Sequence, residues 1–161
     1  MRAAQGRGSQ EEKWQQVQQR FRYDVEARSV PKGAVVLLGR FLFAAIFLMS
    51  GFGQFSKQTI GFAASQGVPS ASIAVPFSGL LALAGGFSIL LGFRAKIGAW
   101  LIVLFLVPVT LMMHRFWGIS DPMQAQIQMI MFMKNVSMLG GALLITQFGA
   151  GPLSLDARRS Q

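Results

Sequence analysis

The chain has 161 residues, of which 52% are hydrophobic and 13% are charged, and it carries a formal net charge of +9. That balance is too apolar for an ordinary soluble domain of this length. The absence of cysteine excludes thiol–disulfide exchange and iron–sulfur ligation by the chain itself. The basic residues flank long apolar runs and form no groove-reading helix, so the charge favours a membrane protein over a nucleic-acid-binding one.

The first element in chain order is an extension over residues 1–33 that is basic and mixed in charge. A helix is predicted over 11–28, because apolar residues recur there at steps of three, four and four. This apolar stripe consists of Trp14, Val17, Phe21 and Val25. It suits either a lipid surface or a partner protein. The Pro–Lys–Gly triplet at 31–33 is predicted to end the helix.

Four apolar runs follow, and each approaches the roughly 20 residues that a helix needs to cross about 30 Å of hydrocarbon. The runs cover residues 34–56, 73–92, 97–114 and 125–148. Short connections force neighbouring helices to run antiparallel. The sequence therefore predicts an all-α, four-transmembrane-helix up-down bundle over 34–156, with a short tail at 157–161. A short interfacial helix, ended by Gly67 and Pro69, is predicted between the first two spans.

Positive charge is concentrated before the first span, between the second and third spans, and after the fourth. The other two loops carry little of it. By the positive-inside rule both termini lie in the cytoplasm, together with the N-terminal amphipathic helix. The sequence thus predicts a multi-pass protein of the lipid bilayer, and it gives no reason to expect a nucleic-acid partner.

One cation lies near the cytoplasmic end of the first span. Arg40 comes about six residues into that run, which is about 9 Å along a helix. The chain returns to the same side after the fourth span and brings Asp156 within reach. We predict an Arg40–Asp156 ion pair that closes this end of the bundle; in the alternative, Arg40 reaches lipid phosphate alone.

A second cation, Lys134, lies about 10 Å below the outer end of the fourth span, and no acid lies within any span. The ends of the first and third spans bring other polar side chains to that side. A candidate ligand site therefore contains Lys134, Asn135, His114, Ser50 and Gln54. It suits an anion, a quinone carbonyl or an acidic group of a partner. In the alternative, Lys134 extends to the interface and Asn135 bonds a neighbouring helix.

Two further patterns concern packing and chemistry. Glycine pairs lie on the second and fourth spans, at Gly85 and Gly86 and at Gly140 and Gly141, where two helices can approach closely. A single histidine without cysteine leaves no metal site and no paired-histidine haem site. We therefore expect no catalytic residue, no cofactor held covalently or by a metal, and no catalytic activity of the chain on its own.

Three stretches and one residue carry a resemblance to a known family. They are "LGRFLFAAIFLMSGFGQF", "GGFSILLGFRAKIGAWL", the histidine that ends the third span, and "FMKNVSMLGGALLITQFGAGPLSLD". Together, over residues 34–156, they resemble the DoxX family of bacterial four-helix membrane proteins. The resemblance implies an inner-membrane protein tied to redox enzymes, as in thiosulfate:quinone oxidoreduction and membrane-held oxidative-stress complexes. Ala82 stands where the family often has a glutamate, which removes a candidate counter-charge for Lys134.

The same resemblance implies a bundle similar to that of vitamin K epoxide reductase. The cysteine pair of that enzyme is missing here. The resemblance therefore implies only a scaffold or a quinone pocket for this chain, and not the chemistry of that enzyme. We therefore consider first a subunit that anchors or scaffolds a multisubunit redox complex of the inner membrane. The alternative is a quinone-binding subunit that uses Lys134, Asn135 and His114. A small-molecule transporter is a weaker alternative, because no acid lies within the spans.

Overall fold

The computed structural model describes the backbone of residues 2–159 and the side chains of 13–20 and 33–159. Within that part the chain forms helices and no strand. The helices are α1 (Arg2–Gly53), α2 (Lys57–Ser65), α3 (Ala71–Leu91), α4 (Ala95–Met113), α5 (Pro122–Phe148) and α6 (Leu155–Arg159). The chain divides into two compact units, Met1–Val35 and Val36–Gln161.

The first unit is helical from Arg2 onward. The helix break predicted at 31–33 is wrong. Proline lacks one N–H donor, but its fixed φ is close to the helical value, so a helix can pass it at the cost of one hydrogen bond. Of the predicted apolar stripe, Trp14 and Val17 are 65% and 56% exposed. Phe21 and Val25 lie outside the described side chains, so the role of the stripe stays a prediction.

Four helical segments are long and apolar enough to cross a membrane. They are Gly33–Gly53 within α1, and the whole of α3, α4 and α5. These four segments confirm the predicted four-span, all-α bundle. Their limits differ from the predicted runs by only a few residues. The orientation of the termini stays a prediction.

Side-chain caps and a left-handed glycine set the ends of three of these helices. The Ser56 hydroxyl accepts a hydrogen bond from the Thr59 N–H at 3.1 Å and starts α2, the short helix predicted between the first two spans. The Asp121 carboxylate accepts one from the Gln124 N–H at 2.8 Å and starts α5. Gly92 ends α3 with φ 64° and ψ 36°, a conformation that favours glycine.

The main core of the second unit lies where α1, α3, α4 and α5 meet. Its buried residues are Phe47, Ala82, Ile89, Ala99, Ile102, Phe105, Leu106 and Ala142. The rings of Phe47 and Phe105 pack edge to face with centroids 6.3 Å apart. Because lipid tails are as apolar as this core, close packing stabilises the bundle more than burial from water does.

The predicted glycine pairs lie in different surroundings. A Cβ at Gly85 would lie 2.8 Å from a carbonyl oxygen of α4, and a Cβ at Gly86 or Gly141 would lie 2.9 Å from a side chain of α1. These three glycines therefore lie where helices approach closely. At Gly140 no described atom lies within 4 Å of such a Cβ, so this glycine lies on the outer surface of α5.

Candidate functional site

A cavity of about 420 Å³ lies among α1, α2, α3 and α4. Its volume is within the roughly 300–1,000 Å³ that small-molecule sites usually have. Its polar side chains are Ser50, Gln54, Thr59, Ser78 and His114. The rest of its lining is apolar and comes mainly from α3 and α4. We call this space the α2 cavity, because the short helix α2 forms one of its walls.

Packing and one hydrogen bond hold α2 in place. Ala63 of α2 is buried in a small apolar cluster with Ala71 and Val75 of α3. The Arg115 guanidinium donates to the carbonyl of Gln66, just after α2, at 3.3 Å. This bond joins the end of α2 to the loop that follows α4.

His114 is the polar residue at the end of α4 that borders the cavity. Its Nδ1 lies 2.9 Å from Oε1 of Gln128 on α5. An amide oxygen only accepts hydrogen bonds, so the imidazole donates from Nδ1 in this contact. The Gln128 side chain therefore orients the imidazole.

One residue that lines the cavity interrupts the hydrogen bonds of α4. Pro108 lies inside α4 and has no N–H, so the carbonyl of Leu104 loses the helical hydrogen bond that residue 108 would donate. Both residues line the α2 cavity. The cavity thus combines amide, hydroxyl and imidazole groups with an apolar wall, and no described lining residue carries a carboxylate. This set suits an uncharged molecule with an apolar body and carbonyl or hydroxyl groups.

The structure separates the five predicted ligand residues. Three of them line the α2 cavity, whereas Lys134 and Asn135 are not among the described residues that line it. Lys134 is exposed, and its Nζ lies 3.4 Å from Sδ of Met131. Asn135 is buried at 5% exposure. Consecutive residues of a helix point about 100° apart, and on α5 Asn135 turns into the bundle while Lys134 turns away from it.

Arg40 is buried in a second polar cluster, at the end of the bundle where α3 turns into α4. Its side chain is 5% exposed. Nη1 donates to the carbonyl of Ala150 at 3.2 Å and Nη2 to that of Leu153 at 2.8 Å. Nε has no acceptor among the described residues. The guanidinium thus fastens α1 to the segment that follows α5.

Asp156 lies in the same cluster and contacts the start of α4. Its carboxylate accepts hydrogen bonds from the N–H groups of Arg94 at 2.8 Å and Ala95 at 3.0 Å. Its own N–H donates to the carbonyl of Gly92 at 2.8 Å. The first N–H groups of a helix lack intrahelical acceptors and favour a negative charge, which explains this position.

The contacts of Arg40 and Asp156 differ in kind from the predicted ion pair. The contacts described above are with backbone groups, and the Asp156 charge also acts electrostatically on the guanidinium. The two residues do meet at one end of the bundle, whereas a direct ion pair between them stays a prediction.

Sequence patterns did not point to several residues that line or border the two sites. Gln128, Thr59 and Ser78 are ordinary polar residues whose roles depend on tertiary contacts. Pro108 was a usable signal, because a proline inside a span frees a carbonyl. Gly92 was another, since a glycine directly after an apolar run often ends a helix.

No group of three or more His, Cys, Asp or Glu residues that could hold a metal occurs within the part of the chain that the structure describes. The fold is a four-span membrane bundle with a small, mainly apolar cavity. The chain belongs to the DoxX family, whose family model matches residues 35–115. The model of the SURF4 family matches residues 77–161.

Two proteins of Escherichia coli (strain K12) are similar to this chain. "Inner membrane protein YphA" is 29% identical over 126 residues, which cover 77% of this chain and 89% of that protein. "Inner membrane protein YqjF" is 30% identical over 127 residues, which cover 75% of this chain and 88% of that protein. No solved structure matches the chain significantly.

Proposed function

We propose that this protein is a non-catalytic subunit that anchors or scaffolds a multisubunit redox complex in a bacterial inner membrane, with both termini in the cytoplasm. The names of the two E. coli inner membrane relatives support the location. The distribution of basic residues supports the orientation. The resemblance to DoxX proteins supports the link to redox enzymes.

The observation that carries this proposal is the poor burial of α5. Only 17% of its most apolar stretch is buried, compared with 22% for the first span and 33% for α3 and for α4. One side of α5 is therefore left to lipid or to other subunits. It exposes a lysine within the span, which lipid tails solvate poorly.

Purification from native membranes tests the proposal. A tagged chain expressed at its native level and extracted in mild detergent is expected to co-purify with other membrane proteins, including an oxidoreductase subunit. Proteins identified by mass spectrometry are compared with those from cells that carry the tag alone. Recovery of only this chain and lipid would refute the subunit proposal.

The α2 cavity supports a second candidate function, in which the protein is a quinone-binding subunit of an oxidoreductase. The imidazole of His114 and the amide of Gln54 can form hydrogen bonds with the oxygen atoms of a quinone or quinol, and the apolar lining can hold its ring. This version uses Ser50, Gln54 and His114 and leaves Lys134 and Asn135 outside the binding site.

Quinone binding is expected to depend on the cavity residues alone. Gln54→Leu with His114→Leu removes two hydrogen-bonding groups at about 1 kcal/mol each, so the affinity for a soluble quinone is expected to fall roughly tenfold or more. Titration followed by tryptophan fluorescence measures it. Lys134→Met is the matched control and is expected to bind as the wild type does. Equal loss in the control, or no loss in the double variant, contradicts the cavity assignment.

A further inference from the structure

Lys134 lies midway along α5. It comes twelve residues after Pro122 and fourteen before Phe148, which is about 18 Å and about 21 Å at the helical rise. Its side chain is exposed, and its contact is with Sδ of Met131 one turn earlier on the same helix. The bundle thus presents a cation outward, within the span.

The surface around this cation is defined by residues that are all exposed on α5. These residues are Ile130, Met133, Lys134, Ser137, Gly140 and Leu144, and we call them the Lys134 face. A Cβ added at Gly140 would have no described atom within 4 Å, and the Ser137 hydroxyl donates to the carbonyl of Met133 at 3.1 Å. Small residues on a membrane helix allow a second helix to approach the backbone closely.

The charges of the chain exclude a second copy as the source of a counter-ion. Its six acids are Glu11, Glu12, Asp24, Glu26, Asp121 and Asp156, and none lies within a span. The nearest in sequence, Asp121, caps the first turn of α5, thirteen residues before Lys134. A second copy therefore brings no carboxylate to the depth of Lys134.

We propose that the Lys134 face docks a transmembrane helix of a different protein, whose Asp or Glu lies at the depth of Lys134. A carboxylate there neutralises the ammonium, and the two charges lower each other's cost in hydrocarbon. Ser137 and Gly140 let that helix pack close enough for the contact. This inference rests on the proposed function, because it specifies the chemistry of one partner subunit.

Co-purification with a charge-free variant is the first test. Lys134→Met keeps a long apolar side chain, and Lys57→Met, at the first residue of α2 outside the four spans, is the matched control. The amount of one partner recovered with Lys134→Met is expected to fall roughly tenfold or more, because its carboxylate is left unpaired in the membrane. The Lys57→Met protein is expected to retain that partner in full.

Photo-crosslinking keeps the inference testable if Lys134→Met folds poorly. A p-benzoylphenylalanine at Ser137 is expected to crosslink a membrane protein with an acid inside a span. The same probe at Trp100, which is 55% exposed on α4, is expected to give no such adduct. Lys134→Glu combined with an acid-to-lysine change in the partner is expected to restore the complex.

The outcomes separate this inference from the proposed function. If the wild type recovers partners and Lys134→Met recovers them equally, the subunit proposal holds and the Lys134 face is not the docking site. Adducts at Ser137 with lipid alone, or with a second copy alone, also overturn the inference. If the wild type recovers no partner, both the proposed function and the inference are refuted.

Discussion

Gly92→Ala is expected to destabilise the protein by about 3 kcal/mol or more. Gly92 has a φ of 64°, where an alanine costs about 1–2 kcal/mol. A Cβ there would also overlap the Arg40 guanidinium and the Ser154 side chain, and would lie 3.1 Å from Cβ of Ala150. Overpacking of this kind typically costs about 1–3 kcal/mol more. Unfolding in detergent, by heat and by SDS titration, measures the loss.

Two other glycines separate the conformational cost of the alanine from the cost of overpacking. Gly118 has a φ of 85° with no described atom within 4 Å of a Cβ, so Gly118→Ala should show the conformational cost of about 1–2 kcal/mol alone. Gly39 lies in α1 with equally open surroundings, so Gly39→Ala is expected to be neutral or stabilising. If Gly92→Ala loses no more stability than Gly118→Ala, the added Cβ costs nothing beyond its backbone conformation. The close contacts of Gly92 with Arg40 and Ser154 then do not resist the substitution.

The spans were predictable because the membrane imposes a simple rule on them. A helix that crosses hydrocarbon needs roughly 20 apolar residues, and both length and composition are visible in a sequence. The break predicted at 31–33 failed for a local reason, since one proline weakens a helix without having to end it.

The direction in which each polar residue of a span points was not predictable in the same way. In a soluble helix the apolar stripe marks the core, but in a membrane span the lipid-facing and core-facing sides are both apolar. The prediction therefore grouped Lys134 with Ser50, Gln54 and His114 without any basis for the side of α5 on which it lies. The structure turns Asn135 inward and Lys134 outward.

The position of the Arg40 cluster was predictable from the sequence, but its hydrogen-bond partners were not. The up-down topology brings the segment after the fourth span back to the start of the first, which puts Arg40 and Asp156 at the same end. Backbone carbonyls, however, are present at every residue, so no pattern marks Ala150 and Leu153 as the acceptors. The opposite charges of a carboxylate and a guanidinium led to the predicted ion pair. The hydrogen bonds described above for both groups are with the backbone.

Arg40→Met is expected to destabilise the protein by about 3 kcal/mol. Methionine fills much of the same volume but removes the bonds that the guanidinium donates to the buried carbonyl of Ala150 and the partly buried carbonyl of Leu153. A buried unsatisfied group costs about 1–3 kcal/mol, and loss of the second bond adds about 1 kcal/mol. The change also removes the positive charge that interacts with Asp156. SDS titration of the purified protein measures the free energy of unfolding.

Two variants test whether the two hydrogen bonds of the Arg40 guanidinium are the source of this stability. Arg115 also donates to a backbone carbonyl, that of Gln66, but it is exposed, so Arg115→Met is expected to cost less than about 1 kcal/mol. Arg40→Lys keeps the charge but has one compact ammonium in place of a planar fork, so it is expected to recover only part of the loss. Full recovery by Arg40→Lys would show that charge alone stabilises this end of the bundle. Equal losses for Arg40→Met and Arg115→Met would show that burial adds nothing to the contacts of Arg40.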